Sequence, residues 1–224
     1  MITKEYDICL EAAGVKKMLT TSKDERLDGL IEELVIECNE TARPMVAFDT
    51  FDVVSSTEDA ITLGGVGFDS NFLYRCLRSR KMVHPFVMTL GKGTDKALER
   101  EDVLSQYILD VLYNITLIKM ERRLRSDIKD KYDYGHVSKL SPGSLDFWPI
   151  GQQLPLFELL AGGVKAIDVE LDGNCIMHPS KSLSGIVFPT KIPFSSCIFC
   201  SMHDCPGREQ PYEINKMEHY LAKI

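Results

Sequence analysis

Nowhere in the 224 residues does an apolar run approach the ~18 consecutive residues that a membrane span requires. The opening Met1-Ile2-Thr3-Lys4-Glu5-Tyr6-Asp7 lacks the basic and then apolar segments of a secretory signal, so a cytoplasmic chain is expected. Positive charge is also in short supply: 26 Lys and Arg stand against 33 Asp and Glu, a formal net charge of −7. That balance argues against a surface built to neutralise a phosphate backbone, and neither nucleic acid nor membrane is expected as a partner. The chain has no internal repeat, no low-complexity segment and no Gly/Ser/Pro-rich linker. At ~100–200 residues per domain it holds one domain and can do one job. Seven cysteines, an odd number, do not fit a disulfide framework, and Cys197, Cys200 and Cys205 crowd together near the C-terminus.

What is present is amphipathic periodicity. After the polar Ser22-Lys23-Asp24-Glu25, apolar Leu27, Leu30, Ile31, Leu34, Val35 and Cys38 recur at helical spacing, which places Cys38 in a core stripe. β-Branched and aromatic runs at 44–54, 60–63 and 82–90 predict strands, with a helix over 71–80. Residues 101–124 put Leu104, Ile108, Val111, Leu112, Ile115 and Ile118 on one face and read as the central core helix. Ser141-Pro142-Gly143-Ser144 then forms a turn. A short helix is expected over 152–160, closed by Gly162-Gly163. Short strands around 164–171, 174–177 and 185–188 and a terminal helix over 212–222 complete the chain. Helices and strands in this irregular order predict an α+β fold, with residues 1–190 as the domain and 191–224 as a Cys-rich tail ending in a helix.

Three motifs do not carry chemistry. Gly64-Gly65-Val66-Gly67 lacks the third glycine and the later carboxylate of a dinucleotide fingerprint and reads as a turn. Gly91-Lys92-Gly93-Thr94 lacks the upstream glycine of a P-loop and reads as a basic turn. His84, inside an apolar strand-like run, reads as a hydrogen-bonded core or edge histidine.

Two segments are unusual for mere connections. Residues 139–149 gather the only Trp, Pro142, Gly143, Pro149 and Lys139. Such a turn exposes backbone polar groups beside a planar surface and suits a ligand with a charged amino-acid end and an aromatic ring; a rigid turn packed by Trp148 is the plainer reading. Residues 177–188 place small hydroxyl side chains beside Gly185, where a backbone can approach closely, and a turn between strands explains them almost as well.

Ser141-Pro142-Gly143, then Leu156-Phe157-Glu158-Leu159-Leu160, Met177-His178-Pro179 and Ser182-Leu183-Ser184-Gly185, in this order, resemble the S-adenosylmethionine-binding reactivation (activation) domain of cobalamin-dependent methionine synthase. The free-standing versions of that domain are the nearer likeness. Leu10-Glu11-Ala12-Ala13-Gly14, Leu63-Gly64-Gly65, Val87-Met88-Thr89-Leu90-Gly91 and Leu109-Asp110 extend the likeness over nearly the whole chain. The resemblance implies a single domain with a mainly antiparallel twisted sheet flanked by helices. It also implies a role in methionine biosynthesis: S-adenosylmethionine is placed over the corrin so that reduction of cob(II)alamin by flavodoxin or ferredoxin is trapped by methylation of cobalt. Such a chain is a component of a vitamin B12 methyltransferase rather than a self-sufficient enzyme; the protein supplies proximity and orientation while the cofactors carry the chemistry.

Carried over by position, the resemblance places Asp133 at a carboxylate that meets the ligand's ammonium. Lys139 stands where the family has an arginine for the ligand's carboxylate, keeping the charge but losing the bidentate fork. Ser141 contacts the ligand through its backbone. Asn114 lines up with a second ligand-binding carboxylate and cannot supply its charge, and Ser144 stands where the family has a tyrosine near the cobalamin. No His follows Asp by two residues, as the D-x-H-x-x-G of a base-off cobalamin protein requires, so cobalamin is expected on a partner, a methionine synthase or another corrinoid protein. Cys197 and Cys200 at C-x₂-C spacing, with Cys205, form a pattern for Zn or Fe–S; Cys175 or His203 could complete four ligands, but the spacing marks no fourth one. A redox or cobalt-facing role for these thiols, or a structural tail, stands beside it. The alternative function is a repurposed binding or electron-transfer module of the same fold acting on another corrinoid protein.

Overall fold

A computed structural model describes residues 1–19, 25–57, 59–203, 205 and 207–223. The Ser22-Lys23-Asp24 start of the first predicted helix, and Asp204 and Pro206 of the cysteine segment, lie outside them. The chain runs β1 (Ile2–Glu5), α1 (Ala12–Leu19), α2 (Glu25–Thr41), β2 (Met45–Phe48), β3 (Phe51–Thr57), β4 (Ala60–Leu63), β5 (Val66–Asp69), α3 (Asn71–Leu77), β6 (Met82–Thr89) and α4 (Gly93–Leu98). The long α5 (Val103–Lys131) leads to β7 (His136–Leu140), α6 (Gln153–Leu159), α7 (Ala161–Ala166), β8 (Glu170–Leu171), β9 (Met177–His178), β10 (Ser182–Thr190) and α8 (Met217–Lys223).

Eight strands form one antiparallel sheet centred on β6. One edge of β6 pairs with β10, which in turn pairs with β7. The other edge is shared: β2 takes its C-terminal half and β3 its N-terminal end, so residues 44–54 are two strands broken at Asp49-Thr50. Every residue from Val83 to Thr89 is buried, and that is why β6 reads as a continuous apolar run. The α+β architecture agrees with the order of elements read from the sequence.

Helices α2 and α5 cover one face, packing Ile31, Leu34, Val35, Cys38, Leu109 and Leu112 onto Val46, Phe86 and Met88. On the other face α3, β4 and β5 meet Leu140, Trp148 and Leu156, and the segment beyond residue 190 joins this cluster through Phe194, Ile198, Phe199 and Leu221. Cys38 is buried, as its place in the stripe predicts, and burial pushes its thiol up to about 11. α5 continues to Lys131, beyond the Leu124 at which the periodic segment is expected to end, and packs against β7 and β10. Leu104, expected in its apolar face, is 51% exposed at the first turn. Gly162-Gly163 do not close a helix: α7 runs through them, because Gly163 lets it approach β2 where a Cβ would stand 2.8 Å from Ala47 Cβ.

His84 is fully buried, with Nδ1 3.0 Å from Thr50 Oγ1 and Nε2 3.2 Å from Tyr134 Oη, and Tyr132 Oη is 2.7 Å from the same Thr50 hydroxyl. Burial, with a smaller contribution from the Lys131 ammonium, pushes His84 down to about 4. The unfolded chain therefore binds this proton first as pH falls, and the stability that neutral His84 contributes is lost between pH ~6.5 and ~4. Thermal melting should show it: the fall of the midpoint from pH 7 to pH 4.5 should be larger in the native chain than in His84→Asn, by roughly 5–10 °C for a chain of this size. Equal pH slopes would remove His84 as the cause.

Candidate functional site

α5, β7, β10 and a C-terminal segment that contributes residues 195–197, Cys200, Cys205, Gly207 and Glu209 line a partly open cavity of about 430 Å³, a size suited to a small organic ligand. Asn114, Ile118 and Glu121 follow one another along α5 over about 10 Å and form its floor. Lys139 comes from the end of β7, Ser141 and Ser144 from the turn that follows it, Ser180 from the approach to β10, and Ser182 and Leu183 from the start of β10. The opposite wall is the C-terminal segment, with Cys197, Cys200, Cys205, Gly207 and Glu209.

At one end, Asn114 Nδ2 donates to Asp110 Oδ2 at 3.0 Å, while Lys181 Nζ lies 3.0 Å from Asn114 Oδ1 and 2.5 Å from Asp110 Oδ1. At the other, Glu121 is buried but faces Arg125 Nε at 2.6 Å, and Arg125 also pairs with Glu209, whose Oε1 lies 3.4 Å from Arg122 Nε. Burial works against the Arg125 charge, yet the two carboxylates outweigh it and hold its pKa above the ordinary arginine value. Burial likewise works against the Glu209 carboxylate, and the arginines hold its pKa below the usual range. Pairing is what makes charge tolerable there.

The middle of the cavity depends on two close approaches. Gly185 on β10 lies where an added Cβ would stand 2.4 Å from Leu140 O and 3.0 Å from Ser141 Oγ. Gly143, with φ 75°, closes the turn after β7, where Ser144 Oγ donates to Ser141 O at 2.7 Å. The Ser141 hydroxyl itself is buried beside the cavity without a hydrogen-bond partner. Buried polar groups are rarely left so, and a ligand in the cavity is one way to satisfy it.

The cysteine wall is organised by Arg208. Its guanidinium donates to five backbone carbonyls, those of Cys197 (2.8 Å), Gln210 (3.0 Å), Cys200 (2.9 Å), His203 (3.2 Å) and Met202. This uses every N–H donor that the group has. Cys197 Sγ accepts from Glu209 N at 3.5 Å, and Cys200 packs against the apolar cluster around Phe199.

The structure thus brings Asn114, Lys139, Ser141, Ser144, Cys197, Cys200 and Cys205 to one cavity. Asp133 is not among them: it is exposed, with φ 52°, in the left-handed position that ends α5, and the length of β7 separates it from Ser141. Trp148 presents no planar surface to a ligand, since it is 1% exposed and packs in the core behind the turn. Among the described residues no three His, Cys, Asp or Glu side chains gather as a metal-binding group. Cys175 lies in the β8–β9 turn, where its carbonyl accepts from Gln153, and His203 packs edge-on against Tyr212. The residues present do not fit a preformed four-ligand Zn or Fe–S site. Sequence reasoning missed the Asp110–Lys181 pair, Glu121, Glu209 and the Arg208 clamp: the partners of Asp110 and Glu209 lie far away in the chain, Glu121 with Arg125 was readable only as an i,i+4 pair, and Arg208 bonds backbone carbonyls, which leave no residue pattern.

Fold and cavity define a single α+β domain with a small-molecule-sized pocket between its longest helix and its C-terminal segment. Among solved structures it is similar to a crystal structure of the MetH reactivation domain bound to AdoHcy, with a TM-score of 0.57 at 14% identity over 99% of this chain and 89% of that one. The two share a fold. No family model and no curated protein matches the chain. No helix among the described residues is long and apolar enough to cross a membrane.

Proposed function

We propose that this chain binds an S-adenosylmethionine-type ligand in the cavity and serves as an accessory domain for reductive methylation of cob(II)alamin on a separate corrinoid protein, a methionine synthase or a related methyltransferase. One observation carries the reading. Four of the five residues that the family resemblance singles out, Asn114, Lys139, Ser141 and Ser144, converge on one cavity in a fold shared with a domain bound to AdoHcy. Lys139 supports the ligand's carboxylate, Ser141 and its turn provide backbone and hydroxyl contacts, and Asn114 lines the far end. Cobalamin arrives on the partner and supplies the methyl-accepting cobalt. Flavodoxin or ferredoxin supplies the electron. No step is assigned to a metal on the cysteines, whose thiols form part of the wall.

Calorimetric titration with AdoHcy and S-adenosylmethionine tests this. Both should bind the intact chain with one site, and Lys139→Ala should weaken AdoHcy about tenfold, as loss of a charge-assisted hydrogen bond in a partly open pocket predicts. Absence of binding by both ligands would sink the reading.

A further inference from the structure

The charges around the cavity say which end of such a ligand is read. The Asn114 amide has its orientation settled by chemistry: an ammonium can only donate, so Oδ1 faces Lys181, and a carboxylate can only accept, so Nδ2 faces Asp110. Asp110 gives its charge to Lys181, whose side chain is 10% exposed. The cluster is internally paired and neutral, and it offers the cavity no unpaired negative charge. The carboxylates that do line the cavity, Glu121 and Glu209, are held by Arg125 and Arg122. Asp133 stays outside. Among the described residues, Lys139 is the one charged side chain of the lining without an ion-pair partner.

We infer that this cavity selects its ligand through an anionic group and has no use for an ammonium: of the amino-acid end of an S-adenosyl thioether, the carboxylate alone is recognised. Asn114, fixed by Lys181 and Asp110, is the specificity-determining residue, and Lys139 is the anion's partner. The inference rests on the ligand reading proposed above. Adenosyl thioethers that keep the carboxylate and lack the amine are then ligands of this protein, and those that keep the amine and lack the carboxylate are not.

The test is a calorimetric series on the intact chain with AdoHcy, its 3-carboxypropyl analogue without the amine, its 3-aminopropyl analogue without the carboxylate, and methylthioadenosine. The carboxypropyl compound should bind within about threefold of AdoHcy, and the aminopropyl compound at least about tenfold more weakly, no tighter than methylthioadenosine. Lys139→Ala should abolish the difference between the two propyl compounds, and Asn114→Asp should raise affinity for the aminopropyl one. Equal binding of the two, or preference for the amine, would overturn the charge selection while leaving the ligand class intact. Failure of all four compounds to bind would overturn the ligand class, and the selection with it.

Discussion

Replacing Gly185 with alanine should cost about 3 kcal/mol or more of folding stability and open the cavity wall at Ser141. The added methyl would stand 2.4 Å from Leu140 O and 3.1 Å from Phe86 Cε1. Neither can give way easily: Leu140 O belongs to the backbone of β7, and β10 is held from the other side by its ladder with β6, in which Gly185 faces Phe86. An interior packed to this density answers an extra methyl with displaced backbone. Urea unfolding measures the loss, and a same-chemistry control lies in α2, where Gly29 has open space around its Cβ position. Gly29→Ala should stabilise the protein by about 0.5–1 kcal/mol, since it only removes freedom from the unfolded chain. If both substitutions shift the midpoint alike, the close approach of β10 to β7 is not what Gly185 provides.

The second large effect is expected at Arg208. Alanine there removes a donor set that five carbonyls share, and hydrogen bonds from a charged group contribute roughly 1.5–3 kcal/mol each before non-additivity. Water can reach part of this surface segment, so the global cost should be smaller, about 1–2 kcal/mol, and the main result local. Alkylation of Cys197, Cys200 and Cys205, followed by peptide mass, should quicken at least tenfold, while exposed Cys9 keeps its rate. AdoHcy affinity should fall with it, because the segment is one wall of the cavity. Arg208→Lys should fail to rescue, since a compact ammonium cannot replace a planar fork with five directed donors. Unchanged labelling in Arg208→Ala would show that the anchorage of Glu209 on Arg122 and Arg125 is enough to hold the wall.

Several elements were legible without coordinates because their signal is local. The stripe of α2, the buried run of β6, the hairpin turn at Gly64-Gly65 and the turn after Leu140 each follow from periodicity or from glycine's conformational reach. The errors have physical causes of the opposite kind. The periodic segment reads as ending at Leu124, yet α5 continues to Lys131 because Ile128 buries in the core shared with α2. Gly162-Gly163 read as a stop, yet tight packing on β2 compensates for the poor helix propensity of glycine.

The candidate site divides in the same way. Which residues deserved scrutiny was readable, since an ordered set of short motifs marked the Ser141 turn, the stretch before Gly185 and the three cysteines. Asp133 lies away from this cavity because its distance from Ser141 depends on the left-handed turn and on β7, and spacing alone carries neither.

By itself, the sequence determined the fold class: an acidic α+β domain without an apolar run long enough for a membrane span, bounds that come from composition and short-range periodicity. Only the tertiary structure decided that Asn114, Lys139, Ser141 and the cysteines share one cavity and that Lys139 is its uncompensated charge. The physical reason is that charge compensation is a matter of distance through space. Lys181 neutralises Asp110, and Arg125, already paired with Glu121 one helical turn away, also neutralises Glu209; the first and last of these pairs cross separations in the chain that no local pattern records.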